Sequence, residues 1–403
     1  MTLLYTKGAW GKKRVLWLVG FAVLLTMVLI WCFSVSPILP LQNIPQSTAS
    51  QKLKGVWLNY DEYGKMIDGC SKEEYQNQIY TVLKNMEQVG LNALFVHVRS
   101  HSDSFYPSSI FPWSNRINQG AGVDYDPLAV LLDLAHGQGI QVHAWLNPYR
   151  VSSGTLQALP QTHPAVKLKE KEVTAVVETE TGVYYNPASV AVRSLVLAGV
   201  DEILANYGVD GIHYDDYFYP TTEESFDGAS YEEYRASVRY PVSLPAFRQT
   251  QVNLLISATH GRVNQYEGVV FGVSPAAGIE KNARELYADV ASWVKGKYVD
   301  YLCPQLYFGF DYPKEEYRFD VLLEKWQELA GELPLYIGIA SYKLGQEDAG
   351  SDEWVTATDL LASQTRWVKD VEGVCFYHYS SLFSATPQAK ENLQHLKKAL
   401  QEF

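Results

Sequence analysis

The sequence predicts a (β/α)8 TIM barrel, an α/β fold, preceded by one N-terminal transmembrane helix and a linker. Three observations predict the barrel. Eight apolar strand-like runs alternate with helix-patterned segments over roughly 350 residues, a pattern that builds a closed parallel sheet. No Gly-rich phosphate loop follows the first strand, which sets the doubly wound open sheet second. The longest connections, 101–124, 151–185 and 219–230, follow strands 2, 3 and 4, on the face where barrel enzymes build their sites.

Residues 15–33 (VLWLVGFAVLLTMVLIWCF) carry no charge over 19 positions, enough to span a bilayer as a helix. Lys7, Lys12, Lys13 and Arg14 in the basic stretch 1–14 hold the N-terminus in the cytoplasm. Small residues follow at Ser34-Val35-Ser36, but Pro37 hinders cleavage, so an uncleaved signal anchor is favoured. Residues 34–52, rich in Pro, Gln and Ser, read as a linker. The barrel, 53–403, then stands outside the cytoplasm at the cell surface, on a single-pass membrane protein.

The first strand is predicted over 54–60 and an amphipathic helix over 73–90, closed by Gly90. The second strand covers 91–99. A helix over 126–139 is opened by Asp126 as N-cap with Pro127 in its first turn. The third strand covers 141–147, a helix 189–207, and the fourth strand 211–217. Strands at 269–274, 299–307, 335–341 and 373–378 follow, with helices at 283–295, 319–329, 354–368 and 387–401. The charged and apolar alternation at 167–181 predicts a small hairpin in the long connection after strand 3.

Of the 403 residues, 47% are hydrophobic, so the chain can bury a full core; 28 Tyr and 10 Trp suit either that core or a carbohydrate cleft. A net charge of −12 repels phosphate backbones and argues against nucleic acid as a partner. Cys70, Cys303 and Cys375 are too few for a disulfide framework, and Cys303 and Cys375, in apolar strands, read as buried thiols. The histidines at strand ends raise a metal-hydrolase alternative such as a sugar deacetylase. No H-x-H or H-E-x-x-H spacing and no zinc-type Cys spacing backs it, so neither metal nor other cofactor is expected.

The chemistry gathers at Asp210–Pro220 (DGIHYDDYFYP), a strand that ends in two carboxylates among aromatics. Glycoside hydrolysis needs a pair of carboxyl groups and surfaces that stack on sugar rings. By the period of two, His213, Asp215 and Tyr217 face the barrel axis, with Ile212 and Tyr214 toward the helices. Asp215 is therefore the first choice for nucleophile or base. Asp216 is either the acid at the mouth or a turn-holding residue; Asp103, Asp61, Glu62 and Glu280 are the other candidates for the second carboxyl. Arg99 is placed to hold a substrate oxygen or to pair with Asp103 on the rim. In HAWLNPYR, Trp145 is suited to stack on a sugar, Asn147 to bond its hydroxyls, and His143 to sit in the core. Gln305 and Tyr307, ending strand 6, complete a polar and aromatic lining.

Several motifs recur in one order: DSFYPS at 103–108, DPL at 126–128, HAWLNPYRV at 143–151, DGIHYDDYFYP, GVSP at 272–275 and PQLYF at 304–308. Together they resemble the bacterial glycosyl-hydrolase-like family 10, over residues 54–383. The resemblance implies an extracytoplasmic barrel acting on glycans, with members linked to peptidoglycan, and site positions at Arg99, Asp103, Asn147, His213, Asp215, Asp216 and Gln305. After GVSP the family continues Phe-Gly-Ile-Trp-Arg-Asn, whereas this chain has Ala276-Ala277-Gly278-Ile279-Glu280-Lys281-Asn282, without the Trp and the Arg. The expectation is a cell-surface hydrolase of O-glycosidic bonds in a cell-wall polysaccharide. A glycan-binding pseudoenzyme is the rival from another class. The oligomeric state stays open.

Overall fold

The computed structural model describes residues 51–403. The anchor expected at 15–33 and nearly all of the expected linker lie outside the described residues; among those described, no helix is long and apolar enough to cross a membrane. Residues from Lys52 to Phe403 form one compact unit.

Among the described residues, eleven strands build two sheets. The main sheet contains β1 (Leu53–Leu58), β2 (Ala93–Arg99), β3 (Gln141–Leu146), β7 (Gly211–Tyr214), β8 (Val270–Val273), β9 (Tyr301–Leu302), β10 (Tyr336–Ala340) and β11 (Gly373–Tyr377). Their order is β10-β11-β1-β2-β3-β7-β8-β9, every pair parallel. Parallel bridges Leu302↔Leu335 and Gln305↔Gly338 bring the two ends of that series together, which makes the sheet a near-barrel of TIM type. The second sheet is β4 (Arg150–Ser152), β6 (Gly182–Tyr185) and β5 (Val176–Thr179), antiparallel, in the long connection after β3. The hairpin expected near 167–181 is the β5–β6 pair, preceded by a helix at Pro164–Lys171 that the charge alternation disguised.

Alternation along the strands separates two apolar layers. Val56, Leu58, Leu94, Val96, Val142, Ala144 and Ile212 pack outward against the helices, whereas Leu53, Trp57, Phe95, Trp145, Tyr301, Cys303 and Cys375 fill the interior. Both interior cysteines are free thiols, as their apolar strands predicted. The interior is crowded enough to dictate residue size. A Cβ on Gly272 would lie 2.0 Å from the Tyr301 ring, so only glycine admits that tyrosine to the axis.

Local signals hold the helices where the sequence placed them. Ser71 and Glu74 form a capping box for Lys72–Val89, which ends at Gly90 in the left-handed region. Asp126 caps Pro127–His136 and Ser189 caps Val190–Asn206. Elsewhere tertiary contacts override the pattern. The helix expected over 283–295 is two, Ile279–Arg284 and Val290–Gly296, because Tyr287 turns to φ 54° and Asp289 opens a new helix by accepting from the Ser292 N–H. The one expected over 354–368 breaks at Ala357, whose carbonyl accepts from Gln388 and Asn392 of the last helix. Further helices were not anticipated. Among them, Tyr60–Ile67 starts at the last residue expected for the first strand, and Leu244–Val263 follows β7, opened by Ser243 with Pro245 in its first turn.

The long segment after β7 is fastened to that unexpected helix by a buried ion pair. Arg248 donates to Asp227 through Nε at 2.9 Å and Nη2 at 2.6 Å, both side chains fully buried. Its remaining N–H groups reach the carbonyls of Thr222 and Glu223 and the Tyr287 hydroxyl, and Tyr219 donates to the other Asp227 oxygen. Every member is satisfied, which is what makes burying both charges tolerable. Arg248→Met leaves the Asp227 charge alone in the core. Urea unfolding of this variant is expected to show a loss of about 3–5 kcal/mol, and a loss below about 1 kcal/mol would contradict the clamp.

Candidate active site

β7 leaves the ladder at Tyr214, earlier than the strand expected through residue 217. The alternation therefore holds for His213 and stops short of Tyr217. His213 lies in the floor of the barrel. Trp57 donates to its Nε2 at 3.4 Å, the Tyr301 hydroxyl meets its Nδ1 at 2.9 Å, and burial drives its pKa well below the usual histidine range. It is a neutral support beneath the site rather than a surface a sugar reaches. His143 is likewise in the core, stacked on Phe95 and bonded to Tyr301, as expected.

Asp215 sits where the chain turns off the strand, only 3% exposed. The Trp145 indole donates to its Oδ2 at 3.0 Å, the Asn147 amide reaches the same oxygen at 3.4 Å, and the Tyr217 N–H reaches Oδ1 at 3.3 Å. Asn147 is itself fixed, because its Oδ1 accepts from the N–H groups of Tyr149 and Arg150 and so aims its amide nitrogen at Asp215. Burial and then the neighbouring Asp216 charge raise the Asp215 pKa to about 7, against the pull of the Trp145 and Tyr217 donors and of Arg150.

Asp216 is partly exposed beside it. Gln305 donates from one nitrogen to Asp216 Oδ1 at 3.1 Å and to the Ser274 carbonyl at 3.0 Å, which ties the carboxylate to the ends of β8 and β9. Burial raises the Asp216 pKa, and the Gln305 bond and the Lys281 charge oppose the rise. Lys281 belongs to the segment that lacks the expected Arg, so a cation still acts on this carboxylate.

The structure thus gathers Asp215, Asp216, Trp145, Asn147 and Gln305 into one site. It places others differently from the sequence expectation. Trp145 was expected as a sugar platform; instead it is buried, one face is covered by His97, and its N–H serves Asp215. Arg99 was expected to hold a substrate oxygen or to pair with Asp103 on the rim. A register shift in the β2–β3 pairing, from His97↔Trp145 to Arg99↔Leu146, turns it outward among the helices. There its guanidinium lies buried 4.7 Å from the Phe111 ring with no hydrogen-bond partner, in space left by Gly199, where a Cβ would come within 2.4 Å of Nη1. Asp103 accepts from the N–H groups of Ser100 and His101 at 3.0 and 2.8 Å, so it shapes the turn after β2.

The remaining carboxyl candidates are committed elsewhere. Glu280 pairs with Arg284 on the surface and Asp61 with Arg116. Glu62 caps the helix after β1 and bonds His378 Nδ1 at 2.7 Å and the Ser380 N–H at 2.6 Å, seaming the start of the barrel to its last strand. Burial works against its charge, and the His378 and Ser380 contacts outweigh it, holding Glu62 below its usual range.

Aromatic groups surround the carboxylates. Tyr217 is 53% exposed, and Tyr307 stacks on Tyr377 at 5.6 Å and 21°. Tyr377 lies within the strand expected over 373–378 and was given no role there; burial first, then the Tyr217, Glu62 and Asp215 charges, push its hydroxyl pKa up. Arg150 was read only as part of its motif; its guanidinium stands 5.7 Å from the Tyr217 ring and its charge acts on Asp215. Its place three residues beyond Asn147 was the available signal. Among the described residues, no three His, Cys, Asp or Glu side chains are grouped as metal ligands.

The raised Asp215 pKa has a consequence for stability. The folded value, about 7, lies above the ordinary 3.8, so ionising this group costs the folded state increasingly above pH 4 and in full above pH 7. Asp215→Asn is therefore expected to raise stability at pH 8 by on the order of 2–4 kcal/mol while changing little at pH 4. Equal unfolding midpoints for the two proteins at pH 8 would contradict it.

Relatives agree with this architecture. The family model for glycosyl hydrolase-like 10 matches residues 52–356. The glycosyl hydrolase YngK of Bacillus subtilis (strain 168) is 31% identical over 326 residues, 73% of this chain and 62% of its own length, so the chain spans under two thirds of that relative. The glycosyl hydrolase DigH of Escherichia coli (strain K12) is 29% identical over 86% of this chain and 87% of its own. Among solved structures, the glycoside hydrolase domain of PgaB (BpsB) from Bordetella bronchiseptica superposes with a TM-score of 0.58 at 12% identity, covering 86% of this chain and 99% of that one, a likeness of fold. The chain belongs to the glycosyl hydrolase-like 10 family.

Proposed function

We propose that the protein is a glycoside hydrolase that cleaves O-glycosidic bonds in a bacterial cell-wall glycan of the peptidoglycan type, with its barrel held outside the cytoplasm by the apolar segment 15–33. The observation that carries the hydrolase reading is the pair of unlike carboxyls at the end of β7. Asp215 is 3% exposed and burial, with the Asp216 charge, lifts its pKa to about 7, whereas Asp216 is partly exposed and burial raises its pKa against the Gln305 bond and the Lys281 charge. Neighbouring groups whose environments separate their proton affinities mark an acid and a base.

The roles expected from the sequence invert on this reading. Asp215 holds the proton and donates it to the leaving glycosidic oxygen. As the proton departs, the anion left behind is met by the Trp145 N–H and the Asn147 amide, already aimed at Oδ2. Asp216, steadied by Gln305, acts as the ionised partner, either on water or on the sugar carbon. Tyr217 and the Tyr307–Tyr377 stack supply faces for sugar rings at the mouth. The substrate class is supported by the family resemblance and by the apolar N-terminal segment, which fits an enzyme working at the cell surface.

Reducing ends released from purified, peptide-free glycan strands test the reading. Asp215→Asn is expected to lower the rate about 10²–10⁴-fold. Because the acid must be protonated, the wild-type kcat/KM is expected to fall as pH rises through about 7. Glycan binding with no release, unchanged in Asp215→Asn, would instead mark a glycan-binding pseudoenzyme.

A further inference from the structure

The donor that serves Asp215 is aimed by something beneath it. β2 and β3 pair at His97↔Trp145, and the two rings lie face to face with centroids 3.7 Å apart and planes 14° from parallel. His97 is 3% exposed, and neither ring nitrogen has a hydrogen-bond partner. Tyr60 stands nearly perpendicular to the imidazole at 5.3 Å. An unpartnered buried polar group is unfavourable and calls for an explanation. The edges of this ring do nothing that the contacts reveal; its face covers Trp145. The register shift immediately after His97 turns Arg99 outward, so His97 is the last side chain of β2 to face the interior.

We propose that His97 is a positioning residue: its imidazole is the flat plate on which the Trp145 indole is laid, and it thereby fixes the direction of the N–H that reaches Asp215. This rests on the role given to Asp215 above. Burial first, then the charges of His101, Arg150 and His213, depress the His97 pKa far below its usual range, and a backbone contact at Arg99 that falls short of a hydrogen bond opposes them only slightly, so the plate is neutral. Asp215 is faced besides by Asp216, Tyr217, Arg150 and Tyr377, the last standing edge-on to Trp145 at 6.4 Å, while the ring stacked face to face on the indole is His97.

The test follows the indole N–H resonances of the 15N-labelled protein through the neutral pH range, with the Trp145 signal assigned from Trp145→Phe. In the wild type this signal is expected to move as Asp215 titrates, and the movement is expected to vanish in Asp215→Asn. His97→Ala should abolish the movement and lower kcat about 10- to 100-fold with KM little changed, as for a catalytic group displaced by about an ångström. His97→Phe keeps a flat ring and removes only nitrogens that bond nothing; it should restore both the movement and most of the rate. His97→Leu fills the space without a flat face and serves if the alanine variant does not fold, with the same loss expected. A Trp145 signal indifferent to pH in the wild type, or wild-type movement in His97→Ala or His97→Leu, overturns the proposal. So does a His97→Phe variant as impaired as the alanine one, since the nitrogens would then matter. The resonance reports without turnover: if no glycan is cleaved, the hydrolase reading fails while this inference is still decided.

Discussion

The structure turns on one carboxyl group kept out of water next to another. Asp215 is buried at the end of β7, and Asp216 follows it in sequence. Alone, each effect disfavours the charged form; together they bring the acidity of Asp215 close to neutrality. The donors around Oδ2 do not cancel that rise. They limit it, and they stand ready for the charge when the proton leaves. A carboxyl that is easily charged, or one that can never be charged, would not serve a protonation that must reverse in each cycle.

What keeps this group dry is assembled from the barrel interior upward. Gly272 lets Tyr301 into the axis, and Tyr301 and Trp57 hold His213 from two sides. Phe95 packs against the His213 ring, and at the top of the stack His97 underlies Trp145. These are buried, close-packed rings whose polar edges, the Trp145 N–H apart, meet one another or nothing. Beside that indole N–H, the hydrogen-bonding groups that touch the carboxylates come from the strand ends and loops: Asn147 after β3, Tyr217 after β7, Gln305 after β9. The buried Arg248–Asp227 pair secures the segment that descends from the catalytic turn. The division follows the usual logic of a barrel, in which strands supply rigidity and the connections at their C-terminal ends supply chemistry.

Much of this was legible in the sequence, and the misses have physical causes. Asp215, Asp216, Asn147 and Gln305 were named because each follows a recognisable strand, and the structure brings them together because a parallel barrel delivers the ends of its strands to one rim. Trp145 was named, but its bond to Asp215 was not, because burial and the neighbour at His97 cannot be read from spacing in one strand. Arg99 was misplaced by a register shift, since one extra residue reverses the face of everything after it. Tyr217 lies beyond the point where β7 ends, so a period of two no longer applied. Helices capped by local residues appeared where expected, whereas Ala357 and Tyr287 broke the pattern through contacts made by distant residues. His97 had no signal: a lone histidine on an inward face reads as core, and only its geometry against Trp145 distinguishes it.

The central claim is that Asp215 carries a proton near neutral pH. The most direct measurement is the 13C titration of its side-chain carboxyl carbon in the intact protein, assigned by the signal lost in Asp215→Asn. A midpoint about 7 is the expected result. A midpoint about 4, in the ordinary aspartate range, would show a carboxylate already ionised when substrate arrives and would contradict the account.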